Sequence, residues 1–248
     1  MFVQNIDPTL LHLGPFEIRY YGLVYVIGFL LVWFILDKNK KELKLTKQQV
    51  ENLIIYLILG VVIGSRLFEV IFWEPAYYLA NPLKIFAFWQ GGMSFHGGFM
   101  GAIFVVYYFC KKHKLSFAKL ADILVIPAVF ILALGRIANF INSELVGTIT
   151  NARWCVQFPG YEGCRHPVQL YGAAGRFLLF GYLLALKKLN KWKPGFLFWN
   201  FVLFIGIGRF VIDFLRDESR LLGLSMGQYL SIALVLVASY ILLKYYRK

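Results

Sequence analysis

The chain has 248 residues, of which 59% are AVILMFWYC, 18% are aromatic and only 16% are Asp, Glu, Lys or Arg. Soluble domains carry roughly 25% charged residues, so this composition excludes disorder, a coiled coil, a collagen-like repeat and an ordinary cytosolic enzyme, and predicts an all-α polytopic integral membrane protein. The net charge of +13 is spread over short loops, which is the pattern of topogenic loops and not of a nucleic-acid surface.

Seven apolar stretches approach the roughly 20 residues needed to cross a bilayer core. They lie at about 20–36, 52–73, 93–109, 120–134, 168–186, 195–215 and 226–243. The first lacks a basic leader and a small-residue cleavage site, and Asp37-Lys38-Asn39-Lys40-Lys41 follows it. It therefore reads as a span and not as a cleaved signal peptide. The loops after the odd-numbered spans hold 16 of the 26 Lys and Arg residues; the N-terminus and the loops after the even-numbered spans hold 7. This bias predicts an outer N-terminus and a cytoplasmic C-terminus. The chain then forms a single transmembrane domain, residues 1–248, with two long outer connections. One is 74–92, with Pro75 and Pro82. The other, 135–167, is rich in Gly, Pro, Asn and aromatic residues and predicts a small extracytoplasmic cap. Cys110, beside Lys111 and Lys112, reads as an inert reduced thiol. Cys155 and Cys164 share the cap loop and pair if it faces an oxidising compartment. No Cys/His spacing reads as a metal site.

Charged residues inside spans are costly, about 2.5–3.5 kcal/mol each on insertion scales. Arg66 and Glu69 are three apart on one helical face and can neutralise each other; Arg209, Asp213 and Arg216 share a face of the sixth span. Arg176 has no partner that spacing can name. Beyond the fourth span, Arg136, Asn139, Asn142 and Glu144 alternate with apolar residues up to Gly147, as a polar stripe entering a site from the outer surface. The third span opens with glycines around His96, and Gly97 and Gly101 have the spacing that lets helices approach closely. Tyr21, His96, Arg136 and His166 all fall at the outer side. Several arginines there suit a phosphate, which a guanidinium grips bidentately, and the phosphate at that depth belongs to a lipid head group. A transporter of anions would use the same arginines, but predicts internal repeats, and the sequence has none.

These segments, in this order, resemble the prolipoprotein diacylglyceryl transferases of bacteria. The resemblance rests on Tyr20-Tyr21-Gly22-Leu23, Gly64-Ser65-Arg66-Leu67 and Gly91 to Gly98 around His96. It continues through Gly135-Arg136 to Asn139, Asn142, Glu144 and Gly147, then His166-Pro167-Val168-Gln169-Leu170-Tyr171, and Gly208-Arg209-Phe210 to Arg216. It implies transfer of diacylglyceryl from phosphatidylglycerol to the lipobox cysteine of a preprolipoprotein signal peptide, forming a thioether and releasing glycerol 1-phosphate. This is the first step of lipoprotein maturation, placed in the bacterial inner membrane with the chemistry at its extracytoplasmic face. The family's functional residues fall on His96, Arg136, Asn139, Glu144, Gly147, Tyr21 and Arg209. Asp213 stands where glutamate is usual, Ile205 where some members have tyrosine, and Gly172 where glutamate is common.

The mechanism that fits this reaction has His96 as general base or as the group orienting it, with a structural role holding the glycine-rich helix end as the other reading of that residue, and Arg136 and Arg209 on the phosphate. Glu144 and Asn139 orient an arginine or the glycerol head group, and Tyr21 donates a hydrogen bond near the lipid. Asn142, Gly147, Arg66 and Asp213 complete the expected lipid-binding set. Membrane lipids and the signal peptide are the expected partners of a monomer, with no nucleic acid, metal or organic cofactor.

Overall fold

The computed structural model describes residues 2–13, 16–88, 91–189 and 192–246; the side chains of Leu13, Phe16, Phe95 and His96 lie outside that description. It divides the chain into two compact units, residues 1–30 with 122–248, and residues 31–121.

In the first unit, strands β2 (Thr9–Leu13) and β3 (Phe16–Arg19) form an antiparallel hairpin that leads directly into α1 (Tyr20–Asn39). A second sheet sets β1 (Phe2–Val3) parallel to β4 (Val156–Gln157), which pairs antiparallel with β5 (Cys164–Arg165). These small sheets add to the helical fold that composition predicts. Buried Gln4 follows β1 and donates to the carbonyls of Phe140 and Ile141 at 3.0 and 2.9 Å. Those carbonyls end α5 (Phe117–Ile141) and have no partner inside their own helix.

The other helices of this unit are α6 (Val168–Leu189), α7 (Phe196–Asp213) and α8 (Met226–Ile241), with a π-helical continuation Leu242–Tyr246. Their core includes Val125, Val129, Leu179, Leu183, Phe201 and Ala238, and Ile205 packs against it. Gly195 precedes α7 and has no side chain to cap it. Asp122 of α5 does so instead, accepting from the backbone N–H of Gly195 at 2.7 Å and of Phe198 at 2.8 Å. Ser225 and Gln228 close α8 with a capping box.

The second unit is built on α2 (Lys47–Phe68), started by the Thr46–Gln49 capping box, and α4 (Phe95–His113). Between them run a π-helical turn Glu69–Trp73, α3 (Pro75–Ala80) and a 3-10 turn Pro82–Phe86. A side chain at Gly97 would strike the Gly64 carbonyl, and one at Gly101 the Gly60 carbonyl. The two helices therefore touch backbone to backbone, as the glycine spacing predicts.

Among the described residues six helices are long and apolar enough to cross a membrane: Tyr20–Asn39, Lys47–Trp73, Phe117–Ile141, Val168–Leu189, Phe196–Asp213 and Met226–Tyr246. The chain is thus a mostly helical polytopic membrane protein. The third expected span is a helix, α4, but it falls short of that standard. Its apolar run is flanked by His96-Gly97-Gly98 at one end and Lys111-Lys112-His113 at the other. The fourth differs in the other direction: α5 runs on to Ile141, past the expected end near 134, so Arg136 and Asn139 ride on helix and not on loop.

Candidate functional site

The last turns of α5 carry Arg136 and Asn139, and the chain then reverses tightly. Asn142 N–H bonds to the Ala138 carbonyl at 2.9 Å and Glu144 N–H to the Asn139 carbonyl at 2.9 Å. Ser143 and Leu145 adopt left-handed backbone, with φ of 56° and 54°. Few non-glycine residues do so. Glu144 lies between them, its carboxylate accepting from Asn139 Nδ2 at 3.1 Å and Asn142 Nδ2 at 3.2 Å. Gln169 of α6, fully buried, donates to the Glu144 carbonyl at 2.7 Å. Phe140 and Val146 anchor this loop in a small cluster with Val156 and Phe158.

Gly147 sits where three backbone segments meet. Its N–H bonds to the His166 carbonyl at 3.2 Å, and a Cβ would press on His166 and stand 3.0 Å from the Leu215 carbonyl. The next residue, Thr148, donates its N–H to that Leu215 carbonyl at 2.8 Å. Gly147 thus serves close backbone approach, drawing the end of the α5 loop against the end of α7.

Arg165, which sequence reading did not single out, secures the same junction. It donates to the Gly147 carbonyl at 3.0 Å, the Asp217 carboxylate at 2.7 Å and the Glu162 carbonyl at 3.0 Å. The neighbouring Cys164 is disulfide-bonded to Cys155, which ties the start of β5 to the residue before β4. His166 reaches the Tyr171 hydroxyl at 3.3 Å, and Trp154 Nε1 donates to that hydroxyl at 2.7 Å.

Beside this junction the ends of three helices enclose a cavity of about 10 Å³, room for about one water. Arg136 of α5, Arg176 of α6, Arg209 and Asp213 of α7 and the following Arg216 line it, with Val168, Gly172 and Ile212. Four guanidiniums therefore face one carboxylate. Buried Asp213 accepts from Arg209 Nε at 3.3 Å, Arg216 Nη1 at 3.4 Å and Ser225 Oγ at 3.3 Å. Arg216 also pairs with Glu218 at 3.3 Å. The Arg209–Asp213 pair exists because position 227 is glycine: a Cβ there would lie 2.7 Å from the Arg209 guanidinium. Arg136 has no hydrogen-bond or ion-pair partner among the described residues; the charged groups acting on it are Arg216, Arg209 and Asp213. Tyr21 stacks edge-on against Tyr25, ring centroids 5.4 Å apart. Of the expected site residues, then, the first unit gathers Arg136, Arg209 and Asp213 around one cavity and Asn139, Asn142 and Glu144 around one carboxylate.

Arg66 and His96 belong to the second unit. Arg66 is buried and its five N–H donors go to five backbone carbonyls. These are Ile85 at 2.9 Å, Gly92 at 2.8 Å, Ala87 at 3.3 Å, Gly91 and Lys84. Its guanidinium also lies 4.9 Å from the Tyr78 ring centroid. Where spacing offered Glu69, these carbonyls take the hydrogen bonds: residues 84–87 and 91–92 lie against the arginine and supply acceptors that spacing along α2 cannot reveal. A lipid contact through Arg66 would have to break them. His96 lies in the first turn of α4, and its side chain falls outside the described residues.

The profile of a family described as prolipoprotein diacylglyceryl transferase matches residues 8–244. The phosphatidylglycerol–prolipoprotein diacylglyceryl transferase of Geobacter sulfurreducens is 42% identical over 246 residues, covering 96% of this chain and 94% of the relative. The protein of the same name from Rickettsia rickettsii is 40% identical over 253 residues, covering 98% of each.

Proposed function

The chain belongs to the prolipoprotein diacylglyceryl transferase family, and from that premise we propose that it moves diacylglyceryl from phosphatidylglycerol to the lipobox cysteine of a preprolipoprotein. The observation that carries this reading is the surplus of guanidiniums lining the cavity, where four arginines meet the single lining carboxylate of Asp213 and only Arg216 has a further one in Glu218. Like charges held together in a low-dielectric setting need an anion between them, and a lipid phosphate is the anion a membrane offers there.

In the reaction the cysteine sulfur attacks the glyceryl carbon, a C–S bond forms, and the C–O bond to phosphate breaks with its electron pair on oxygen. The thiol proton leaves to a base. Arg136 and Arg209 hold the phosphate and stabilise the charge that develops on it. Asp213 orients Arg209 and Arg216 toward that anion. Glu144, fixed by Asn139 and Asn142, takes hydroxyl hydrogen bonds from the glycerol head group, and Tyr21 donates at the lipid end. His96 is the base; His96→Gln with undiminished turnover would remove it from that role. The cavity is smaller than a phosphoglycerol group, so substrate entry parts the arginines.

The site faces the extracytoplasmic side of the bacterial inner membrane in this reading, with α4 as the seventh span. The Lys/Arg bias supports it, and so does the Cys155–Cys164 disulfide of the loop after α5, since disulfides persist in oxidising compartments. The test is to incubate the detergent-purified chain with phosphatidylglycerol and a lipobox peptide. A diacylglyceryl mass gain on the peptide, with release of glycerol phosphate and no gain on the Cys→Ser peptide, is expected. A folded, lipid-binding chain that gives no gain would overturn the transferase reading.

A further inference from the structure

Arg176 stands within the membrane-spanning stretch Val168–Leu189. Its Nη1 donates to the Gly172 carbonyl one turn earlier at 2.8 Å, while its Nε is buried with no acceptor. No carboxylate lies within ion-pair distance of it among the described residues. Asp213, the lone carboxylate of the cavity, is already engaged by Arg209, Arg216 and Ser225. The charges that act on Arg176 are those of Arg136, Arg209 and Asp213.

What lets this guanidinium lie there is Gly172. The nearest atoms to a Cβ at that position are Arg176 Nη1 at 2.9 Å and Arg136 Cγ at 3.5 Å. A side chain at 172 would press on the end of the Arg176 side chain and make the guanidinium shift. A carboxylate on it would pair with that guanidinium and neutralise the excess. Glycine does neither, so a half-buried cation keeps a buried, unused Nε–H donor at the wall of a cavity shared with three more cations.

We propose that Arg176 is a further phosphate-binding residue of this site, seated by Gly172 and directed at the oxygens that gain charge as the glycerol phosphate departs. The inference rests on the reading of the cavity as a phosphate site. A phosphodiester carries one negative charge; the monoester that leaves acquires a second when the C–O bond breaks. A contact that strengthens along that path raises kcat and the affinity for the product, and leaves substrate binding nearly unchanged.

The experiment uses the full chain in detergent and follows two readouts. One is turnover with phosphatidylglycerol and a lipobox peptide; the other is inorganic phosphate, as inhibitor of turnover and as stabiliser of the melting temperature. Arg176→Gln is expected to lower kcat about tenfold and weaken phosphate inhibition about tenfold, the loss of one charge-assisted contact, with KM for the lipid within about threefold. Arg176→Lys, which keeps the charge without the planar fork, recovers part of both. Gly172→Glu keeps the arginine but neutralises it, and weakens phosphate inhibition in the same direction. Wild-type phosphate inhibition in Arg176→Gln or in Gly172→Glu would overturn the proposal. So would an effect confined to the melting temperature without phosphate. If the wild-type chain fails to modify the peptide yet is stabilised by phosphate through Arg176, the transferase reading falls and the anion site stands.

Discussion

Arg66 in the second unit and Arg136 in the first are both arginines near the ends of long apolar helices, and they meet opposite surroundings. Arg66 gives all five donors to carbonyls of the segment that folds over it. Arg136 gives none to the described chain and faces three further guanidiniums across a cavity. A charge in a span is costly whichever way it is resolved. The difference lies in who supplies the compensating acceptors. For Arg66 the fold does, and the arginine becomes an organiser of backbone. Around Arg136 the fold supplies Asp213 at the cavity and Glu218 behind Arg216 for four cations, and the remainder is left to a ligand. Donor accounting, and not the mere presence of a charge in a span, separates the two roles.

Removing an arginine from the cluster should break the chemistry and spare the fold. Arg136→Ala and Arg209→Ala are each expected to lower turnover by about 10²–10³, the usual size for losing a preorganised group on developing charge, with little change in melting temperature. A loss of melting temperature as large as that of the Arg66 variant would erase the contrast. Arg66→Ala should do the reverse. It removes the arginine donor from the carbonyls of Ile85, Ala87, Gly91 and Gly92, at about 1–3 kcal/mol for each that water cannot reach, while the Lys84 carbonyl keeps the Ala87 N–H. Expected outcomes are a lower melting temperature and faster proteolysis within 74–92. The folded fraction should retain more activity than either cluster variant.

The same contrast marks how far the sequence could be read. Span positions follow from composition, because a run of apolar residues is a local property. The apolar run is diluted in α4, whose helix passes through Gly97, Gly98, Lys111 and Lys112 over nearly the expected stretch; the boundary that moved most is the end of α5, which continues through Arg136 and Asn139 and is satisfied by Gln4 from 136 residues away. The Asn139–Glu144 contact was within reach of sequence, since both lie in one turn of chain. The partners of Arg66 were not. Spacing offered Glu69, while the actual acceptors lie 18 to 26 residues on in a segment without helical period. Arg176 had no assignable partner for a deeper reason: the fold leaves it one carbonyl and a place in the cavity, and the cavity exists only when α5, α6 and α7 converge. Gly227 was equally hidden, because a glycine that makes room for another helix's arginine leaves no mark in its own neighbourhood; Gly172 stood out only as a departure from glutamate and not as the seat of Arg176. The pairing of Cys155 with Cys164 depended on compartment, which residue spacing does not state, and the short β1–β4–β5 sheet depends on contacts between distant segments.

Backbone strain divides along the same line, and gives the smallest of the expected effects. Two carbonyls that hold Arg66 come from Gly91 and Gly92, with φ of 86° and 68°, where glycine adopts left-handed backbone without a steric penalty. The residues that flank Glu144 do so without that freedom: Ser143 at 56° and Leu145 at 54°. Each costs about 1–2 kcal/mol relative to an unstrained conformation, and the bonds of Asn139, Asn142 and Gln169 to Glu144 offset it. Leu145 is 42% exposed, so little packing is lost on removing its side chain. Leu145→Gly should therefore relieve the strain, yet free the unfolded chain by a comparable amount, leaving stability within about 1 kcal/mol of the starting value. Activity should still fall, by about threefold to tenfold. A glycine next to Glu144 admits backbone conformations in which the carboxylate no longer lies between its two amides, and a misplaced group near the reacting centre is costly. A Leu145→Gly chain with unchanged turnover would mean that the side-chain amides alone fix Glu144, and that the left-handed pair serves only to turn the chain toward Gly147.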